Sequence, residues 1–140
     1  MRTTDDDGAI VAPAETVLVV DDEVLVRMVI AAYLRDCGYR VIEAADAKEA
    51  MLALEQDEAG AVGVVLSAVA LAGEGDGFAL AQWIRRHRPA CEVVLAGTTT
   101  RAADAAGELC DQGPTLARPY EPQLVLDRIR RLLARKPPQR

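Results

Sequence analysis

The run Thr16–Val20 (TVLVV), followed at once by Asp21, Asp22 and Glu23, constrains this chain more than any other feature. Consecutive β-branched and aliphatic residues leave no polar face, so a strand made from them must be covered on both sides. The three acids then end it abruptly and set charge at its carboxyl end. A helix is expected over Val24–Cys37, with Gly38 as its C-terminal stop.

The same alternation continues along the chain. Arg40–Ala44 reads as a short strand, polar enough for a sheet edge. Asp46 and Glu49 have the spacing of a capping box, and Ala47, Met51 and Leu54 share one helical face. Val62–Ser67 is a third strand. The glycine-rich loop Gly73–Gly77, in which Asp76 reads as a turn or cap residue, leads to a helix over Phe78–His87 closed by Pro89. Glu92–Ala96 is strand four, Arg101–Cys110 an alanine-rich helix, and Thr115–Ala117 a short fifth strand. Pro122 opens the last helix, where its missing N–H costs least, and Val125, Ile129, Leu132 and Leu133 form its inward stripe.

Five strands alternating with five helices predict an α/β doubly wound parallel sheet, order 2-1-3-4-5, with right-handed crossovers and helices on both faces. Residues 1–14 are expected to be a disordered acidic tail, 15–135 the domain, and 136–140 a second tail whose two prolines cannot continue a helix. Ligands of such sheets bind in the crevice at the carboxyl ends of the strands. The residues that end strands one, three, four and five are Asp21/Asp22, Ala68, Gly97 and Arg118, so the chemistry is sought there.

Length and composition narrow the function classes. At 140 residues with a net charge of −6, the chain fits one domain and argues against nucleic acid or an anionic membrane as its main partner. No apolar run is long enough to span a bilayer, the acidic start is no signal peptide, and a cytoplasmic location is expected. Cys37, Cys91 and Cys110 lack metal-ligand spacing, and their odd number suggests no disulfide framework. His87 is the only histidine, so no His-based triad fits in one chain. There is no Walker loop, nor a G-x-G-x-x-G after strand one. A nucleotide- or metabolite-binding domain is therefore a distant alternative. An enzyme is not expected, because no nucleophile–base pair can be placed.

Three segments, in order and at the right spacing, resemble the response-regulator receiver family of two-component signalling, with its CheY-like fold. They are VLVVDDE (Val17–Glu23), GDGFALAQWIRRHRP (Gly75–Pro89) and LARPYEP (Leu116–Pro122), and the likeness covers nearly all of 16–135. It implies a carboxylate at the end of strand three that accepts a phosphoryl group from a histidine kinase or small phosphodonor. It also implies Mg²⁺ on an acidic pair and a lysine to balance the phosphoryl oxygens. A hydroxyl ending strand four then bonds the new group, and the helix-4/strand-5/helix-5 face changes shape.

Carried over residue by residue, the acidic pair is Asp21 and Asp22. The family's Asp-x-x-(Leu/Met)-Pro-Gly stretch falls on Ala68-Val69-Ala70-Leu71-Ala72-Gly73, so the nucleophile and the proline are both lost. The hydroxyl position falls on Gly97 or, one residue on, Thr98. The lysine falls on Arg118, followed by Pro119 with the family's cis bond expected before it, and the aromatic switch position falls on Thr115. Ser67 should face away from the crevice, since adjacent strand residues point to opposite sides. Losing one carboxylate weakens any Mg²⁺ site at Asp21 and Asp22, and Arg118 is expected to pair with one of them in the ion's place. No other cofactor is expected.

The resulting expectation is a stand-alone receiver-type domain, since no output domain follows residue 135. It would not be phosphorylated at the usual position and would act by protein contact through helix 4, strand 5 and helix 5. Its partner would be a histidine kinase, a phosphotransfer protein, another signalling protein or a second copy. Arg128, Arg131 and Arg135 on the last helix suit an acidic partner, or are a solvated stripe. The alternative is a phosphorelay receiver with an unconventional acceptor or with phosphate held non-covalently.

Overall fold

The computed structural model describes residues 3–4, 10–11, 16–114 and 118–135. Its elements are β1 (Thr16–Val20), α1 (Val24–Asp36), β2 (Arg40–Ala44), α2 (Ala47–Gln56), β3 (Val62–Ala68), α3 (Gly77–His87), β4 (Glu92–Ala96), α4 (Thr99–Asp111) and α5 (Pro122–Arg135). The strands are parallel in the order β2-β1-β3-β4. The expected order thus holds for four strands. The expected fifth, Thr115–Ala117, lies outside the described residues, as does Thr115 as a switch position. Thr3–Thr4 pairs antiparallel with Ile10–Val11 within the stretch expected as a tail. The rest of that stretch and residues 136–140 are outside the described set.

The aliphatic run forms the centre of the sheet, as its composition demands. Leu18 and Val20 pack with Ala47, Leu54, Val65, Leu80 and Ile84 beneath α2 and α3. Val17 and Val19 face the other way, onto Val29, Tyr33, Leu66 and Ala96. Leu18 is fully buried, a burial that stabilises by about 2 kcal/mol. The helix starts are built as their sequences direct. Asp46 Oδ1 accepts the Glu49 N–H at 2.8 Å while Glu49 Oε1 reaches back to the Ala45 N–H at 3.0 Å. Asp76 Oδ1 accepts the Ala79 N–H at 2.9 Å and caps α3. Gly38, at φ 97°, turns the chain after α1.

The last third departs from the expected winding. A right-handed crossover from β4 to a strand beyond it would carry α4 on the α2–α3 face. Instead Ala102, Ala103, Ala106 and Leu109 of α4 belong to the core on the α1 face. Pro122, at the start of α5, abuts Gly107 near the end of α4. Leu133, near the end of α5, shares a groove with Thr98 and Thr99 at the start of α4. The two helices therefore form an antiparallel hairpin laid over α1, with Val125, Leu126 and Ile129 buried. Leu132 and Leu133 are only half-buried at the stripe's edge.

This placement also corrects the cysteine reading. Cys37, which caps α1, and Cys110, in the last turn of α4, are disulfide-bonded with Cα atoms 5.4 Å apart. A separation of 73 residues hid the pair, which only the α1–α4 packing brings together.

Candidate functional site

The crevice forms where the strands end, and its residues come from three connections. Asp21 follows β1, Ala68 ends β3, and Gly97 and Thr98 follow β4. These four residues line one shallow groove of about 340 Å³, closed on one side by Leu133. Of the positions picked out in the sequence, the structure thus brings together Asp21, Ala68, Gly97 and Thr98. Ala68 contributes only a methyl group to the groove's lining.

One oxygen of each carboxylate in the acidic pair accepts a backbone N–H. Asp21 Oδ1 accepts the Glu23 N–H at 2.9 Å, which fixes the turn into α1. Asp22 Oδ2 accepts the Ala72 N–H at 2.9 Å and ties the β3–α3 loop to the end of β1. Burial pushes the Asp21 carboxyl above the usual aspartate range, against the downward pull of its hydrogen bond from Glu23. The charges of Asp22 and Glu23 add to the rise, and Arg27 opposes it.

Magnesium demands several oxygen ligands in near-octahedral geometry. Here two carboxylates already hold N–H donors, and the third position is Ala68. Among the described residues, no three Asp, Glu, His or Cys side chains converge as a metal would need. The residues present do not fit a magnesium site.

Arg118 is elsewhere. Its guanidinium pairs with the Asp111 carboxylate, donates to Glu121 Oε2 at 3.0 Å and reaches the Gly107 carbonyl at 3.3 Å. This overturns the expected pairing with Asp21 or Asp22, and the reason is topological. The end of α4 is disulfide-linked to the end of α1, so Arg118 sits roughly a helix length, about 20 Å, from the crevice. Among the described residues no peptide bond is cis, so the cis bond expected before Pro119 is absent.

The other candidates are committed to structure. Ser67 is fully buried and donates its hydroxyl to the Ala68 carbonyl at 2.9 Å. The Thr98 hydroxyl accepts the Arg101 N–H at 3.1 Å and caps α4. Gly77 lets the β3–α3 loop fold tightly over the strand end, because a Cβ there would lie 2.3 Å from the Ala68 carbonyl oxygen.

Arg27 was not singled out in the sequence. It donates to the Asp21 carbonyl at 2.8 Å and to Glu43 Oε1 at 3.3 Å, and so supplies the cation beside the acidic pair. A basic residue one turn into the helix after three acids is the only signal that points to it. Its partner Glu43 comes from the neighbouring strand, which spacing does not reveal. Leu133 was read as a core residue, and its place at the crevice follows from the hairpin alone.

The comparisons with known proteins agree with this scaffold. The family profile of the response regulator receiver domain matches residues 17–130. A curated relative, the transcriptional regulatory protein GltR of Pseudomonas aeruginosa, is 32% identical over 127 residues, covering 89% of this chain and 51% of the relative. The chain spans about half the length of the curated relatives it matches. Among solved structures, the receiver domain of NtrX from Brucella abortus is 27% identical with a TM-score of 0.54, covering 86% of this chain and 99% of that one. A response regulator receiver protein from Pseudomonas putida, also 27% identical, reaches 0.56 over 68% of this chain and 79% of its own. Four parallel strands in the order 2-1-3-4, an acidic pair after β1 and a loop–helix unit after β3 all point one way, and the chain belongs to the response regulator receiver domain family of two-component signalling.

Proposed function

We propose that this receiver domain signals without accepting a phosphoryl group, by docking to a protein partner. The carrying observation is Ala68. The side chain at the end of β3, where an anionic oxygen would attack, is a methyl group in the groove beside Asp21 and Gly97. Phosphoryl transfer needs an oxygen nucleophile and cations around the phosphoryl oxygens. Ala68 offers no oxygen at the strand end, while Asp21 accepts the Glu23 N–H, the Thr98 hydroxyl caps α4 and Arg27 is held by Glu43 and the Asp21 carbonyl. The conventional substitutes are engaged elsewhere, Ser67 inside the core and Asp76 at the cap of α3. This disfavours a phosphorelay role through an unconventional acceptor.

The docking surface is the α4–α5 face. Arg128, Arg131 and Arg135 are exposed along α5 and flank Leu132 in a shallow groove, which suits an acidic protein surface with an apolar anchor. Histidine kinases, phosphotransfer proteins and other cytoplasmic signalling proteins are the candidate partners, and a second copy is the remaining one. Among the described residues no helix is long and apolar enough to cross a membrane.

Incubation with a small phosphodonor and Mg²⁺, followed by intact-mass measurement, tests the reading. The unmodified mass is expected, and a stoichiometric phosphate adduct would overturn it.

A further inference from the structure

We propose that Cys37 and Cys110 form a redox clamp. As a disulfide they hold the α4–α5 hairpin on α1, and as two thiols they release it together with the docking face it carries. The proposal rests on the docking reading above, because it names what regulates that same surface.

The clamp sits on α4, the helix of the hairpin with the smaller buried side chains, while α5 contributes Val125, Leu126 and Ile129 to the same core. Between the ends of α4, its contacts with the sheet face are made by Ala102, Ala103 and Ala106, which bury far less apolar area than the aliphatic side chains elsewhere in the core. Near Cys110, the Tyr39 hydroxyl donates to the Leu109 carbonyl, and Gly113 lies against the Tyr39 ring. One residue beyond Cys110, Asp111 holds Arg118, which also reaches Gly107. The cross-link therefore fixes the end of α4, and through Asp111 it also fixes the turn into α5. A second observation lies under the same junction. The Tyr33 hydroxyl, fully buried on α1 and packed edge-on to Tyr120, is the buried side-chain oxygen without a hydrogen-bond partner among the described residues. A buried hydroxyl left unpaired disfavours the packed form, so the hairpin docks on α1 against a standing cost that the cross-link offsets.

Both sulfurs are buried, so exchange requires the last turn of α4 to open. Cys110 adjoins the exposed Asp111 and Gln112 at that frayable end. A dithiol reductant attacks one sulfur as its thiolate. The Cys37–Cys110 bond breaks, one cysteine leaves as thiolate and is protonated, and a mixed disulfide remains. The reductant's second thiolate then displaces the other cysteine and closes the reductant's own disulfide. The pair has gained two electrons and two protons. In the reverse direction hydrogen peroxide oxidises one thiolate to a sulfenic acid, releasing hydroxide that takes up a proton, and the thiol of the second cysteine then displaces water to restore the disulfide.

The test uses the full chain with peroxide, with dithiothreitol, and as Cys110→Ser. Alkylation after denaturation should give one modified cysteine in the oxidised protein and three in the reduced one. Hydrogen exchange within α4 and α5 should rise about tenfold or more on reduction and in Cys110→Ser, and fall back with peroxide, while β1–β4 keep their protection. Unchanged exchange in α4 and α5 would overturn the clamp. So would loss of protection across the sheet, which would make the bond a staple of the whole domain, and so would three alkylated cysteines after peroxide. Phosphate uptake, measured separately, reports on the docking reading alone.

Discussion

The sheet with α1–α3 and the α4–α5 hairpin hold together by different means. In the first region Val17, Leu18, Val20, Leu54, Leu80 and Ile84 are almost completely buried, and long side chains interdigitate on both faces of the strands. In the second, α5 buries Val125, Leu126 and Ile129, but α4 meets the rest of the molecule largely through alanines, a glycine that touches Pro122, and a disulfide. The first region carries the family's sheet order, and the second carries the departure from its winding. Density of aliphatic packing keeps a topology fixed. Where it thins out, a cross-link and a few close contacts can set a different path.

The contrast breaks most visibly in the core of the sheet. Leu18→Ala should cost about 2–5 kcal/mol, because a fully buried leucine at the sheet's centre leaves a cavity that cannot collapse. Urea unfolding should shift as one transition, with exchange rising everywhere. An effect confined to α2 and α3 would mean that the sheet is not the common core.

Gly107→Ala sharpens the other side. The new Cβ would lie 2.4 Å from Pro122 Cγ, a ring carbon with little room to move. Overpacking of about 1–3 kcal/mol outweighs the gain in helix propensity of about 1 kcal/mol. A modest net loss is expected, read as faster exchange in α4 and α5 alone. Equal acceleration in β1 and β3 would erase the distinction between the two regions.

The smallest effect belongs to the crevice. The folded protein raises the Asp21 pKa, chiefly through burial. Such a group contributes stability when protonated, fully present below its ordinary pKa and lost as the pH rises through the raised value. At neutral pH Asp21→Asn should therefore be slightly more stable than the parent, since the amide oxygen still accepts the Glu23 N–H. The gain should vanish in acid. Destabilisation at neutral pH in urea titrations would show that the charge, through Arg27, is worth more than its burial costs.

The boundaries of β1 and β4 were legible because their aliphatic runs end at Asp21 and Gly97, and the caps Asp46 and Asp76 because a carboxylate three residues before its target N–H is a local pattern. In the site, the shared place of Asp21, Ala68, Gly97 and Thr98 at the strand ends was legible for the same reason, as each ends or follows a strand. Arg118 was not, because its position depends on which face α4 takes, and an alanine-rich helix carries no strong signal for either face. The Cys37–Cys110 bond and Leu133 at the crevice follow from that same choice, so they were hidden together.

The central claim is that the phosphoryl site is lost as a whole, with Ala68 as one of several departures. In Ala68→Asp a carboxylate would return to the end of β3, while Asp22 would still hold the Ala72 N–H, Gly97 would offer no hydroxyl, and Arg118 would remain at the far end of α4. Incubated with a small phosphodonor and Mg²⁺ and weighed intact, this variant should keep its unmodified mass. A stoichiometric phosphate adduct would show instead that the rest of the site is competent and that only the acceptor was lost.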